Sequence, residues 1–481
     1  MRIKKYFKNK KITNNHYVNN IKDDSRLVEE NDVYFCCEKS PQKAKTYIEE
    51  AISKGAKTIV STKSFSIKTI KNINYILTNS IYQELSRVVK MHYHKLLKNI
   101  KFIGITGTNG KTTVTSIIFR YLQIKKINSI LIGTNGYFYK KLDNTVVNIP
   151  LPNTTPNILK IINIIKKAKL SKGYCIMEVS SQAIMEHRIL GLEFYAVGFT
   201  RITQDHLDYH KTIGEYVNAK RTLLFQVRND GFIVLNDDCK HYEKLINQVI
   251  NPVISYGKSN KLDSYKYQLL TLSNAEMSFE IEFHNRKYCF VTNLLGEYNV
   301  ENITLAFVLI KSLNIDTNLF SEFIKTFEKI PGRQNIINCM SRKVVIDFAH
   351  TPSAFSSVLK TFNSIKTGKI ITVFGCGGNR DKSKRPLMGK IASLYSDHII
   401  LTNDNPRTES ENNIINDIAK GIKNKKYEII TNRYEAIKEA FKISCSNDTI
   451  LILGKGSEKG TIDNDGLSDE QLVKKYIEGV R

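Results

Sequence analysis

Apolar and polar positions alternate along this chain in three successive blocks. Through about residue 95, short apolar runs "DVYFCCE", "AKTIVS" and "INYILT" read as strands, and "AKTYIEEAISKGA" carries apolar residues at helical spacing. A Lys/His-rich helix near "VVKMHYHKLLKN" closes this block. From "KFIGIT" to about Pro331 the runs "KFIGIT", "SILIGT", "YCIMEVS", "YAVGFT" and "GFIVLN" are separated by helical segments, the pattern of a parallel sheet with helices on its faces. A run of antiparallel strands is expected over about residues 264 to 293, before the apolar helix "NVENITLAFVLIKSL". After the Pro-Gly break in "IPGR", the runs "KVVIDFA", "KIITVFG", "HIILTN", "YEIITN" and "TILILG" repeat the strand-helix rhythm and predict a second doubly wound unit. The expectation is an α/β protein of three domains, 1–95, 96–331 and 332–481.

A chain of 481 residues exceeds what one hydrophobic core organises, in keeping with that division. With 41% hydrophobic and 25% charged residues it reads as a globular protein. No apolar run approaches the roughly 18 residues of a membrane helix, and "MRIKKYFKNKKITNN" lacks the apolar core of a secretory signal, so a cytoplasmic location without membrane insertion is expected. The eight cysteines include no C-x-x-C pair and are expected as reduced thiols, mostly in the core. A net charge of +26 raises the question of nucleic acid, but the lysines are spread through every segment rather than clustered on a basic-aromatic face. The expected partners are therefore small anionic substrates and no nucleic acid; a monomer is expected.

Chemistry begins at "ITGTNGKTT". Small residues there let backbone N–H groups approach phosphate oxygens, and the following helix presents its positive end. Lys111 is placed for the terminal phosphates, Thr112 for Mg²⁺, and Thr113 beside them. The loop departs from a strict G-x-x-x-x-G-K-[ST] pattern, since residue 105 is isoleucine. Glu178 ends the strand in "MEVSSQA", a position suited to a metal ion that takes few protein oxygens, although alone it reads equally well as a helix cap. Asp205, His206, Asp208 and His210 cluster in a polar loop ahead of a helix bearing Lys220.

Together these segments resemble the Mur ligase family, ATP-dependent enzymes that form amide bonds in peptidoglycan synthesis. The resemblance runs in order through "DDSRLVEENDVYF", "GITGTNGKTT", "LPNTTPNILK", "EVSSQA", "DHLDYH", "NAKRTLLF", "LLGEYNVENI", "IPGR", "DFAHTPSA", "GCGGNRDKSKRPLMG", "NDNPRTE" and "GKGSE". Within the family it points to the branch that adds the third peptide residue.

The resemblance implies an N-terminal uridine-nucleotide domain, a central ATPase and a C-terminal Rossmann-like domain for the amino acid. It implies ATP contacts from Thr108, Asn109, Gly110, Lys111, Thr112, Thr113, Asn299, Arg333, Asp347 and His350. The UDP-muramoyl-dipeptide falls to Ser25, Arg26, Thr154, Thr155, Ser180, Gln182 and Arg188, and Mg²⁺ to Thr112, Glu178, His206 and a carbamylated Lys220. Lys111, Lys220 and His206 are the implied catalytic groups. Arg380, Asp404, Asn405, Arg407, Gly454 and Glu458 are implied for the amino acid, expected to be meso-diaminopimelate. Diaminopimelate differs from lysine by one distal carboxylate, and its selection calls for a buried cation, the guanidinium of Arg407. Lysine would leave that cation unpaired at a cost of about 3 kcal/mol.

The family pattern is broken at Arg201, where asparagine is usual, at Gln182 and Ser457, where histidine is usual, and in "PGRQN", where Gln334 and Asn335 replace Met-Glu. Three other readings stay open: a basic nucleic-acid-binding P-loop protein, an inactive nucleotide-binding scaffold, and a lysine-adding or folylpolyglutamate-type ligase.

Overall fold

The computed structural model describes residues 1–65, 72–141, 143, 145–259, 261–458 and 466–480. Among these, the strands assemble into three sheets. The N-terminal sheet is parallel and runs Ile21–Lys22, Val33–Phe35, Thr58–Ser61, Asn74–Leu77. The Lys/His-rich segment is two helices, Ile81–His92 and His94–Lys98, with Tyr93 between them.

The central sheet has the spatial order Arg286–Thr292, Met277–Phe283, Ser264–Leu272, Val253–Gly257, Val227–Asn236, Phe194–Phe199, Ile100–Thr106, Gly173–Glu178, Ser129–Gly133, Gly136–Lys140, Val146–Ile149. Its middle is parallel and both edges turn antiparallel. The strands at 264 to 292 thus extend this same sheet. Ile100–Thr106 lies at its heart, paired on both sides in parallel, and alternate residues serve opposite faces. Phe102 packs into the core on one face, while Ile103 and Ile105 pack with the helices Lys111–Ile124 and Glu297–Ser312 on the other.

The C-terminal sheet runs Asn335–Cys339, Arg342–Asp347, Thr449–Leu453, Ile370–Phe374, His398–Leu401, Tyr427–Ile429. Its first strand is antiparallel to the next and was not anticipated; the other five match the predicted runs. Helices cover both faces: Val345 meets Phe355, Leu359 and Met388, whereas Val344 and Ile346 meet Ile437, Phe441 and Leu472. Side-chain caps begin two of these helices, with Thr351 accepting from the Ala354 N–H and Asn432 from the N–H groups of Tyr434 and Glu435.

The cysteines depart from expectation. All eight are free, but only Cys36, Cys175 and Cys376 are buried, and Cys289 and Cys445 are exposed. Among the described residues no helix is long and apolar enough to cross a membrane.

Because Ile105 is fully buried in the central strand, Ile105→Ala leaves a cavity that the two flanking strands hold open. A loss of about 2–5 kcal/mol is expected, read as a lowered midpoint in urea unfolding.

Candidate active site

All three chemical motifs open onto one cleft of about 450 Å³ at the carboxyl ends of the central and C-terminal sheets. The phosphate loop leaves Ile100–Thr106 and enters the helix Lys111–Ile124 through Gly110, which provides no side-chain cap. The first amides of this helix are therefore free for an anion. Gly107 and Gly110 both have positive φ, and their neighbours leave no room for a side chain: an added Cβ would lie 1.9 Å from Thr200 Oγ1 and 2.1 Å from Asn302 Oδ1, respectively. Lys111 Nζ folds back to donate to the carbonyls of Gly107 (3.0 Å) and Thr108 (2.8 Å). Thr108 is fixed by Thr203 and Tyr216, and Asn109 donates to Thr351 on the C-terminal unit.

Glu178 is buried and collects neutral donors. Thr112 Oγ1 (3.0 Å) and the Thr134 N–H (2.9 Å) donate to its Oε1, and the Thr134 hydroxyl donates to Oε2 (2.9 Å). Gly133 must lack a side chain to admit this carboxylate, since a Cβ would stand 2.3 Å from Oε1. Held by neutral hydroxyl and amide donors, this buried carboxylate is suited to a cation on its open side. Among the described residues no group of three or more His, Cys, Asp or Glu forms a metal cage. Glu178, Thr112 and His206 all line the cleft, and a carboxylate beside a hydroxyl is a donor set of the kind that suits Mg²⁺, an ion that keeps waters and completes its shell with phosphate oxygens.

His206 sits at a left-handed backbone position, 3.4 Å from Asp205, and burial lowers its pKa. The segment after it is not simply a loop: Leu207–His210 forms a turn of helix, and the His210 ring is buried against the Ser181 hydroxyl (2.8 Å). Asp205 also faces His350 across the cleft at 3.9 Å. Burial works to raise the Asp205 pKa, but His206, His350 and Lys384 together bring it down. Burial drives His350 to about 3, a neutral imidazole.

Lys220 lies behind the loop, almost wholly buried, and donates to the Gly107 carbonyl (2.9 Å) and Thr106 Oγ1 (3.4 Å). Burial first, and then Lys111, push its pKa well below the ordinary lysine value.

Arg333, Asp347, His350 and Asn299 join the cleft wall opposite the loop. Arg333 donates to Thr112 Oγ1 (3.2 Å), and its guanidinium stacks 4.4 Å from the centre of the Phe348 ring. Gln334, with φ of 42°, pairs through its amide with both the N–H and C=O of Leu295 (2.7 Å each). Its own N–H donates to Asp347 (2.7 Å). Burial raises the Asp347 pKa.

Beyond Glu178 the cleft is lined by Thr154, Ser180, Gln182 and Arg188, and at its far end by Arg380, Asp404, Arg407, Gly454 and Glu458. Thr155 and Asn405 stand just behind the surface, Thr155 donating to the Glu178 carbonyl (2.9 Å). Burial and the neighbouring Asp404 raise the Glu458 pKa. One expectation needs correction. Arg407 is exposed rather than buried, and its Nη1 donates to the Gly378 carbonyl (2.7 Å). Ser25 and Arg26 lie outside the cleft wall: the Ser25 hydroxyl donates to Glu50 (2.5 Å) and Arg26 pairs with Asp24.

Several lining residues escaped the sequence reading. Asn302 lies three positions after Asn299 on one helix face, a spacing that would have revealed it. Thr134 follows an apolar strand in a Gly-Thr turn. Lys384, which donates to the His350 carbonyl (2.9 Å), and the ion pair of Arg201 with buried Glu301 carry no local signal. That pair, joined by the Tyr267 hydroxyl (3.1 Å), is what Arg201 provides in place of asparagine.

Two family models match: the Mur ligase middle domain over residues 105–310 and the Mur ligase, glutamate ligase domain over residues 332–456. A UDP-N-acetylmuramoyl-L-alanyl-D-glutamate--2,6-diaminopimelate ligase of Clostridium tetani is 34% identical over 470 residues, spanning 96% of this chain and 95% of its own. The enzyme of that name from Fusobacterium nucleatum is 35% identical over 476 residues, with the same shares. The chain belongs to the Mur ligase family. The solved structure of a UDP-N-acetylmuramoyl-L-alanyl-D-glutamate--2,6-diaminopimelate ligase matches this Mur ligase with a TM-score of 0.70 and 26% identity, covering 100% of this chain and 99% of that one. The MurF ligase of Thermotoga maritima, solved with ADP, shares the fold at a TM-score of 0.67 and 15% identity, covering 95% of this Mur ligase and 99% of that chain.

For this Mur ligase, Gly110→Ala is expected to push Asn302 out of the loop and weaken ADP binding by about tenfold or more, some 1.4 kcal/mol, in an equilibrium titration with a fluorescent nucleotide.

Proposed function

We propose that this Mur ligase joins meso-diaminopimelate to UDP-N-acetylmuramoyl-L-alanyl-D-glutamate at the cost of ATP. The observation that carries this reading is the continuity of one cleft from the phosphate loop, past Glu178 and Arg188, to Arg380, Arg407 and Glu458. A triphosphate, a carboxylate acceptor and an amino acid thereby meet in line. Such a reaction draws on cytoplasmic nucleotides, and the division into 1–95, 96–331 and 332–481 assigns one domain to each substrate. Ser25 and Arg26 would meet the uridine end, beyond the cleft.

Lys111 would leave the loop carbonyls to meet the β- and γ-phosphates, together with the free amides at 110–113. Arg188 would orient the muramoyl-dipeptide so that its terminal carboxylate faces the γ-phosphorus. A carboxylate oxygen then attacks, the bond to the bridging oxygen breaks, and ADP leaves with that electron pair. The amine of the amino acid, in its neutral form, attacks the acyl phosphate carbon. The tetrahedral intermediate collapses to an amide, releasing phosphate and the amine proton. Bringing two anions together is the electrostatic obstacle, and Lys111 and Arg333 offset it in a site of low dielectric. Glu178, Thr112 and His206 would hold Mg²⁺, which when bound supplies Lewis-acid charge neutralisation at the phosphates.

Lys220 supports carbamylation. Two ammonium groups directed at the Gly107 carbonyl repel, and a neutral Lys220 amine has the lone pair that adds to CO₂ with loss of a proton. The product is an anionic oxygen donor, a metal ligand where an ammonium would be a repellent. Lys220→Ala is expected to lose nearly all ligase activity and to recover part of it with short-chain carboxylic acids. Full activity without the acid would refute the carbamate.

The test of the reaction is phosphate release from ATP, measured with UDP-muramoyl-dipeptide and a panel of amino acids. Release must require both partners; no release even with both present would favour the scaffold, and turnover independent of them the nucleic-acid reading. Because Arg407 is exposed, only a closed cleft would impose the full penalty on lysine, and a preference for diaminopimelate of about tenfold or more in kcat/KM is expected. Arg407→Ala should abolish that preference. Equal use of lysine by the unmodified enzyme would assign it to the lysine-adding branch.

A further inference from the structure

The two loops at the far end of the cleft spring from strands that are not neighbours. Asp404 and Arg407 follow His398–Leu401, while Gly454 and Glu458 follow Thr449–Leu453, and Ile370–Phe374 lies between them. One strand separates their origins, a gap of about 10 Å between the outer two. Ladders to Ile370–Phe374 hold the two strands as far as Leu401 and Leu453, but no ladder joins the two loops to each other.

A single guanidinium spans that gap. Arg433, the first residue of the helix Arg433–Ile443, is fully buried, and its Nη1 donates to the Asn403 carbonyl (3.0 Å) while Nη2 donates to the Leu453 carbonyl (3.1 Å). These carbonyls belong to the residues immediately before Asp404 and Gly454. Asp469, also fully buried, receives Nε (2.6 Å) and Nη2 (2.8 Å) and sets the plane of the fork. Asp469 begins the helix Asp469–Val480, so the C-terminal helix is joined to the same point. Arg433 is absent from the cleft wall and touches no substrate position. A buried ion pair is weak evidence for stability, because apolar side chains of equal volume fill space as well or better. What the planar fork adds is direction, aimed at two carbonyls at once.

We propose that Arg433, oriented by Asp469, is the positioning residue for the distal amino-acid site, holding the Asp404–Arg407 and Gly454–Glu458 loops at the separation the incoming amino acid requires. This rests on the assignment of that end of the cleft to diaminopimelate.

The test compares Arg433→Lys, Asp469→Asn and Arg407→Ala in the full-length enzyme, with KM for each of the three substrates, kcat, the diaminopimelate-to-lysine ratio of kcat/KM, and thermal unfolding. Arg433→Lys keeps the charge and loses the fork. It is expected to raise KM for diaminopimelate by about tenfold or more and to erode the preference over lysine, with KM for ATP and for the muramoyl-dipeptide within about twofold. Asp469→Asn should shift the same parameters less, and it supplies the readout if Arg433→Lys does not fold. Unchanged diaminopimelate KM and preference in both folded variants, with both altered in Arg407→Ala, overturns the positioning role alone. Equal losses toward all three substrates, in step with lower thermal stability, overturn it in favour of a purely structural pair. If Arg407→Ala changes neither parameter, the assignment of the distal site falls, and the positioning role with it.

Discussion

Two lysine side chains aimed at one carbonyl oxygen constrain this active site more than any other contact. The Gly107 carbonyl accepts from both Lys111 and Lys220, in a place where glycine alone fits beneath Thr200. Two buried ammonium ions so near each other, with little solvent between them, are strongly disfavoured. Burial lowers the pKa of both, and that of Lys220, the more deeply enclosed, falls well below the ordinary lysine value, while Glu178 and Asp205 partly hold up that of Lys111. The loop is thus held in shape by side chains of the same protein, through the carbonyls of Gly107 and Thr108.

Besides the apolar packing of Leu295 and Tyr298 against the C-terminal core, the cleft's two walls are tied across by short polar links. Asn109 meets Thr351, Arg333 meets Thr112, Asp205 faces His350, and Gln204 reaches Asp381 (3.4 Å). Gln334 anchors the segment between the central and C-terminal sheets by bonding Leu295, Tyr298 and Asp347. Polar links of this kind can be broken and remade against solvent at small net cost, which suits a site that must admit three substrates and then close over them.

How much of this was legible in the sequence follows from what each feature depends on. The phosphate loop, Glu178 at a strand end and Lys220 on its helix are set by local chemistry, and the chain announces them. The alternating runs gave the central and C-terminal sheets for the same reason, whereas the short polar strand Asn335–Cys339 gained its identity only from its neighbour Arg342–Asp347. The exposure of Arg407, the distance of Ser25 and Arg26 from the cleft, and the pairing of Arg201 with Glu301 are tertiary facts. Arg433 is the sharpest case: its sequence context "TNRYEAI" reads as an ordinary helix start, and its partners lie 20 to 36 residues away.

The place of Ile100–Thr106 in the sheet also bears on how the chain reaches its native state. Its two flanking strands, Gly173–Glu178 and Phe194–Phe199, lie about seventy and ninety residues further along, and Thr200, against which Gly107 packs, comes after both. During synthesis from the N-terminus this apolar strand emerges well before either partner exists. Loop-closure entropy must be met before the pairing is rewarded, so the strand waits unpaired, open to chaperones and to self-association. The nucleotide site is consequently a late product of folding, and the acquisition of ATP binding marks the moment at which the centre of the sheet has closed.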